Sequence, residues 1–309
     1  MIESPSTGNL MSAIAYHGHY GGGVMLQLDE EIGSAVFIPI QHSMYSDIDI
    51  ALIDNPANPG LEYRLGIVYK RWNGVGYSLM MDVHNVNIST GSIITSPILT
   101  TNPIAQNVPN TFLSTIRIDA VPSQTGTLVG GMTAEMDKFM LLYTRPTSES
   151  IVELYDHDGI SIFPFIAEIV PFEGGKDVAA YVDQPTGDIM ATVAVMDGND
   201  VQVHEYNFST TMLSAPTILS MGDVYYPYPR IEAYGYYDAS ASFAKWTLAA
   251  SWMGTLYDEI RVFTDVSPMY IANAGIGDKH EYPTVAAGIG PVLSSVPASN
   301  IGNSQYSFA

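Results

Sequence analysis

The chain has 309 residues, of which 47% are hydrophobic and 14% charged, and it contains no cysteine. Such a length buries a large core without a metal or disulfide staple, and the missing cysteine excludes disulfides, thiolate catalysis and zinc–thiolate sites. Eleven basic residues against 32 acidic ones give a net charge of −21, which repels phosphate backbones and anionic lipid. Nucleic acid is therefore not an expected partner, and no run of about 18 apolar residues supports membrane insertion.

In chain order, Met1–Gly8 is short and polar and is expected to be an N-terminal extension; it is no secretory leader. Alternating apolar and polar residues then predict strands over Leu10–Tyr16, Val24–Leu28 and Ala35–Ile40, with the Gly21–Gly23 turn between the first two. A second group covers Asp49–Ile53, Leu65–Tyr69, Tyr77–Val83 and Ser92–Leu99. A third covers Thr115–Ala120, Phe139–Tyr143, Ile151–Tyr155 and Ser161–Ile166, with an irregular insertion around Thr133–Leu142 entering its second strand. Asp177–Val182, Met190–Val195, Val201–Tyr206 and Leu213–Leu219 form a fourth group. Arg230–Tyr236, Trp246–Trp252, Glu259–Phe263 and Met269–Ala274 form a fifth, and Thr284–Ile289 remains as one further strand. Pro39, Pro97 and Pro164 fall in the last strands of their groups, and because Pro donates nothing to a ladder those strands belong on sheet edges. The tail Pro291–Ala309 is rich in Ser, Pro, Asn and Gly and has the composition of a linker.

A strand-only unit recurring every ~40–65 residues is the pattern of a repeat fold. The first group lacks a first strand, and Thr284–Ile289 lies beyond the fifth group. Completing one sheet with strands from both chain ends resembles the velcro closure of β-propellers, and the resemblance covers residues 9–290. It implies an all-β, five-bladed β-propeller with four antiparallel strands per blade, as one domain between the extension and the tail. There is no WD dipeptide pattern, no kelch double-glycine pattern and no sialidase Ser-x-Asp-x-Gly-x-x-Trp box, so the resemblance names a superfold and not a family.

In such a ring the first strands line an axial channel, and here they carry acids: Asp49, Asp54, Asp119, Asp183, Glu232 and Asp238. Converging carboxylates could hold Ca²⁺, or they could act as the acid and base of a glycoside hydrolase or lyase. Five-bladed propellers with three axial carboxylates look like arabinanase- and levanase-type glycosidases, although the motifs those families keep around each acid are missing. Asp also ends strands simply because it favours turns. Asp156-His157-Asp158-Gly159 and Asp197-Gly198-Asn199-Asp200 read as turns, since neither supplies calcium-loop spacing. The seven His show no metal pattern, and there is neither a Gly-x-Ser-x-Gly elbow nor a phosphate-cradling glycine loop.

Tyrosines crowd the stretch 225–237, and Tyr225, Tyr226 and Tyr228, set beside Pro227 and Pro229, are read as loop residues able to contact a partner; Tyr257 lies further on. Without a catalytic signature, the expectation is a non-enzymatic binding or scaffold module that presents loop faces to a protein or glycan. The low charged fraction suits an extracellular or surface-displayed protein, a virion included, and secretion would require a leader that this sequence does not carry. A structural part of a larger filament or virion, joined through the C-terminal tail, is a further reading.

Overall fold

The computed structural model describes residues 2–3, 10–18, 21–28, 36–40, 48–58, 61–87, 92–93, 97, 99–100, 103–108, 115–123, 136–145, 150–163, 176–183, 186–197, 200–220, 228–233, 246–253, 258–264 and 270–273, with side chains chiefly between 48 and 220. Every regular element among them is a strand, and the strands form five antiparallel sheets, each built from consecutive segments. The chain divides into two compact units, Met1–Val121 with Glu135–Pro171, and Pro122–Ala134 with Phe172–Ala309. The first three sheets fall in the first unit and the last two in the second.

The expected groups are the sheets, most inner strands running longer than the alternation suggested; Gly21–Gly23, expected as a turn, is strand paired with Tyr16–Gly18, and Met136–Thr144 is regular strand where an irregular insertion was expected. The first comprises Ile2–Glu3, Leu10–Gly18, Gly21–Leu28 and Val36–Ile40. The second has Ile48–Asp54, Glu62–Trp72 and Tyr77–Asn87. The third has Ile116–Pro122, Met136–Thr144, Ser150–Tyr155 and Ser161–Phe163. The fourth has Lys176–Asp183, Asp188–Asp197 and Asp200–Asn207. The fifth has Tyr228–Ala233, Trp246–Met253, Asp258–Thr264 and Tyr270–Asn273.

Several expectations need correction. The edge of the second sheet is not one strand over Ser92–Leu99 but three pieces, Ser92–Ile93, Leu99–Thr100 and Ala105–Val108, laid along Tyr77–Asn87. Pro97 interrupts it where a ladder donor is missing. The fourth-sheet edge is likewise split into Met212–Leu213 and Thr217–Ser220, with Pro216 just before the second piece. In the first sheet the strand beside Leu10 and Met11 is Ile2–Glu3, part of the expected extension, which satisfies backbone groups on that edge. Thr284–Ile289, expected in that position, lies outside the described residues, as does the tail Pro291–Ala309.

Packing within each unit follows the pleat. In the first unit Val68, Leu79, Met81 and Val83 of the second sheet bury against Ile116, Phe139, Leu141, Tyr143 and Ile151 of the third. Each such side chain contributes about 1.5–3 kcal/mol when fully buried. Gly66 lets the sheets approach, since a Cβ there would stand 2.8 Å from Phe139 Cε1 and 3.0 Å from Ile118 Cδ1. In the second unit Ala179, Ala194, Val201 and Val203 of the fourth sheet pack with Ile231 and Phe263 of the fifth.

A second device joins neighbouring sheets at their first strands. The Ile118 N–H donates to Asp49 Oδ2 at 3.0 Å, and the Ile231 N–H donates to Asp177 Oδ2 at 2.9 Å. Arg230 adds an ion pair to Asp177 at 3.8 Å. The flanking sequences match in pairs: Asp49-Ile50-Ala51 with Asp177-Val178-Ala179, and Arg117-Ile118-Asp119-Ala120 with Arg230-Ile231-Glu232-Ala233. The second and third sheets thus repeat in the fourth and fifth as a two-sheet unit. In each, an acid on one first strand satisfies a backbone donor on the next.

Candidate functional site

The acids read from the sequence as channel groups fall into separate local settings. Asp49 binds the Ile118 N–H as described. Asp54 ends its strand half-buried; burial first, and the Asp54 charge second, push the Tyr63 hydroxyl up to about 12. Asp119 accepts the N–H of its neighbour Ala120 at 2.8 Å. Asp183 ends the first strand of the fourth sheet, where its carboxylate accepts from the Thr186 hydroxyl at 2.8 Å and its carbonyl from the Thr186 and Gly187 N–H groups. Glu232 lies in Tyr228–Ala233 opposite Thr247, and Asp238 lies outside the described residues. Among the described residues no group of three or more His, Asp or Glu side chains forms a metal site.

The carboxylates in the sheet interiors are paired with phenols. Tyr69 donates to Asp82 at 2.9 Å and Tyr181 to Glu205 at 2.8 Å. Tyr143 donates to Glu153 at 3.2 Å, and Tyr155 donates to the same carboxylate. Burial, then the adjacent carboxylate charge, raises the hydroxyls of Tyr69, Tyr143 and Tyr155 well above the ordinary tyrosine value. They therefore remain donors, and these contacts knit strands together. The turn acids are held by amides. Asn55 donates to Glu62 at 2.8 Å and Asn207 to Asp188 at 2.7 Å. Hydrogen bonds from Asn58 and Asn55 lower Glu62, and those from Asn207 and Ser209 lower Asp188. Asp156 behaves as the turn residue expected, accepting the N–H groups of Asp158 at 3.0 Å and Ile160 at 2.8 Å around Gly159, whose φ is 76°.

Of the predicted contact tyrosines, Tyr225, Tyr226 and Tyr257 lie outside the described residues. Tyr228 opens the first strand of the fifth sheet, opposite Ser251, and is not a loop residue. The strand begins two residues before the expected Arg230 because Pro229, the residue that suggested a loop, is tolerated near a strand start.

The best-built exposed feature is one the sequence reading passed over, the hairpin tip of the second sheet. Glu62–Trp72 and Tyr77–Asn87 pair along their whole length, closing with Trp72 opposite Tyr77. The Asn73 Oδ1 accepts the N–H groups of Val75 at 3.0 Å and Gly76 at 2.9 Å, while its Nδ2 donates to the Ser78 hydroxyl at 2.8 Å. Gly74, at φ 97°, takes the left-handed position that this turn demands. Tyr77 packs against the core between the second and third sheets. Trp72 meets it edge-on, with ring centroids 5.1 Å apart and planes at 61°. Yet Trp72 remains 53% exposed. Leaving about half a Trp in water forgoes roughly 3 kcal/mol of burial, on a turn held by three side-chain hydrogen bonds. Beside the tip, Ala105–Val108 pairs with Tyr77–Leu79 and bulges between Gln106 and Val108, with Asn107 at φ 57°. A Cβ at Gly76 would stand 2.8 Å from the Asn107 Oδ1, so the missing side chain admits that amide. The Trp-Asn-Gly-Val-Gly-Tyr run was the signal available in the sequence.

No protein-family model matches the chain, and no curated protein does. Solved structures do. A mutant of AofleA from Arthrobotrys oligospora, with three arginines replaced by alanine, is 10% identical, with a TM-score of 0.52 over 88% of this chain and 74% of that one. A mutant Aleuria aurantia lectin, solved with alpha-methyl-L-fucoside, is 10% identical, with a TM-score of 0.49 over 88% of this chain and 80% of that one. The Dos1 propeller is 12% identical, with a TM-score of 0.39 over 82% of this chain and 55% of that one. Antiparallel sheets built one after another from consecutive strands, together with the likeness to AofleA, give this chain a β-propeller fold.

Proposed function

We propose that the chain is a non-enzymatic binding module, a five-bladed ring whose loop ends present contact residues to a glycan or protein outside the cell or on a surface. One observation carries this reading: among the described residues the carboxylates of Asp49, Asp183 and Asp82 are engaged with a backbone N–H or a hydroxyl, whereas Trp72 stays exposed at a hairpin tip braced by hydrogen bonds. A glycosidase needs two carboxyl groups facing one bond. Closure by Thr284–Ile289 is supported by the sequence, since Tyr282-Pro283-Thr284-Val285-Ala286-Ala287 repeats the Tyr-Pro-x-(Ile/Val)-x-Ala pattern of the first strand Tyr228–Ala233. Ile2–Glu3 covers Leu10 and Met11, and Ser12–Ala15 continues the same edge.

The test pairs a glycan array and candidate surface proteins with a hydrolysis assay on polysaccharides, using the full chain. Saturable binding without cleavage is the expected result, and turnover of a polysaccharide overturns the reading. The fucoside bound to the Aleuria lectin serves as one probe. For closure, a chain ending at Glu281 should melt well below the full chain; equal melting temperatures remove the five-bladed ring.

A further inference from the structure

We propose that the Trp72–Tyr77 hairpin tip is a sugar-binding site and that its ligand is a neutral pyranose; this rests on the binding-module reading and assigns it a place and a ligand class. A pyranose has an apolar C–H face rimmed by hydroxyls, so it needs a flat aromatic surface with donors and acceptors at its edge. The tip supplies both. Trp72 offers the surface, and Tyr77, anchored in the core, fixes its position. Exposed Asn107, set against Gly76, offers an uncharged amide able to donate and accept. Two independent features converge here. One is the exposed Trp72 ring on a braced turn. The other is the bulge of an extra edge segment, which holds a non-glycine residue at φ 57° against Gly76. Left-handed backbone at a non-glycine residue is uncommon, and such positions gather at functional sites.

Charge selects among sugars. A net charge of −21 opposes sialylated or sulfated glycans. An uncharged ring meets that condition.

The experiment uses the full chain on an array of neutral oligosaccharides with their sialylated and sulfated counterparts, followed by titration of the best neutral ligand with tryptophan fluorescence as readout. Trp72→Ala should weaken binding by about tenfold or more, the loss expected for one stacked ring, with Trp72→Phe intermediate. Gly76→Ala, which displaces the Asn107 amide, should weaken it several-fold. Trp72→Phe keeps the contact with Tyr77, so its melting temperature should stay close to the wild type, and weakened binding in that variant is not lost folding. Neutral-glycan binding unaffected by Trp72→Ala overturns the site and leaves the binding-module reading intact. Binding restricted to acidic glycans, or to a protein, overturns the ligand class while sparing that reading. Polysaccharide cleavage overturns the module reading itself.

Discussion

The second and fourth sheets start from nearly the same strand and end differently. Both open with Asp-(Ile/Val)-Ala, and in both the acid binds a backbone N–H of the following sheet. Both hold the acid that starts their second strand with an Asn amide, Asn55 on Glu62 and Asn207 on Asp188. They part at the hairpin between the second and third strands. In the fourth sheet Asp197 pairs with Asp200, with two residues between them. In the second, Trp72 faces Tyr77 across four residues, and an added edge segment supports the tip. The shared residues join sheets or hold turns, and at the differing tip Trp72 stays exposed. Repetition therefore marks what the fold needs, and departure from it is where the proposed binding tip lies.

The comparison can be broken hardest at the buried middle of the fourth sheet. Val193 is fully buried between Val178 and His204. Val193→Asp should cost about 4–5 kcal/mol or abolish folding, since it buries a charge without a partner; a variant with wild-type thermal stability would refute the strand assignment.

Next come the two acid clasps. Asp177→Ala should cost about 2–3 kcal/mol by leaving the buried Ile231 N–H unpaired and removing the ion pair to Arg230. Asp49→Ala, at a more exposed clasp, should cost about 1–2 kcal/mol. Chemical denaturation of both variants checks the ranking, and equal wild-type stability in both would remove the clasp from the argument. The Gly66→Ala variant belongs to the second sheet only. Its added methyl meets the Phe139 ring at 2.8 Å, for a loss of about 1–2 kcal/mol, and an unchanged denaturation midpoint would count against the close approach.

The smallest effect concerns His204, buried with neither ring nitrogen hydrogen-bonded, so that burial lowers its affinity for a proton. The unfolded chain then takes up the proton first. Stability contributed by the neutral ring is present above about pH 6.5 and is lost as pH falls below it. His204→Phe should flatten that part of the melting-temperature profile between about pH 7 and 5, and a slope equal to the wild type would assign the dependence to another group.

Strand identity was legible for the long inner strands because its cause is local. Alternation in Tyr77–Val83 or Val201–Tyr206 needs no partner to be seen, and the hairpin turns follow from Asn, Asp and Gly. Boundaries were less so. Pro229 suggested a loop at Tyr228, and nothing near Ser92 announced that the edge would resume at Ala105. The acids of the first strands stood in plain view in the sequence, but their hydrogen-bond partners did not. Asp49 and Ile118 are 69 residues apart, and Asp177 and Ile231 are 54 apart.

By itself the sequence determined that this protein is all strand, in repeated antiparallel groups whose order follows the chain, because side-chain periodicity and turn chemistry act over a few residues. Tertiary structure alone decided which carboxylates join sheets and which aromatic stays in water. Hydrogen-bond satisfaction and burial depend on what another sheet brings to the same point, and no local pattern encodes that meeting.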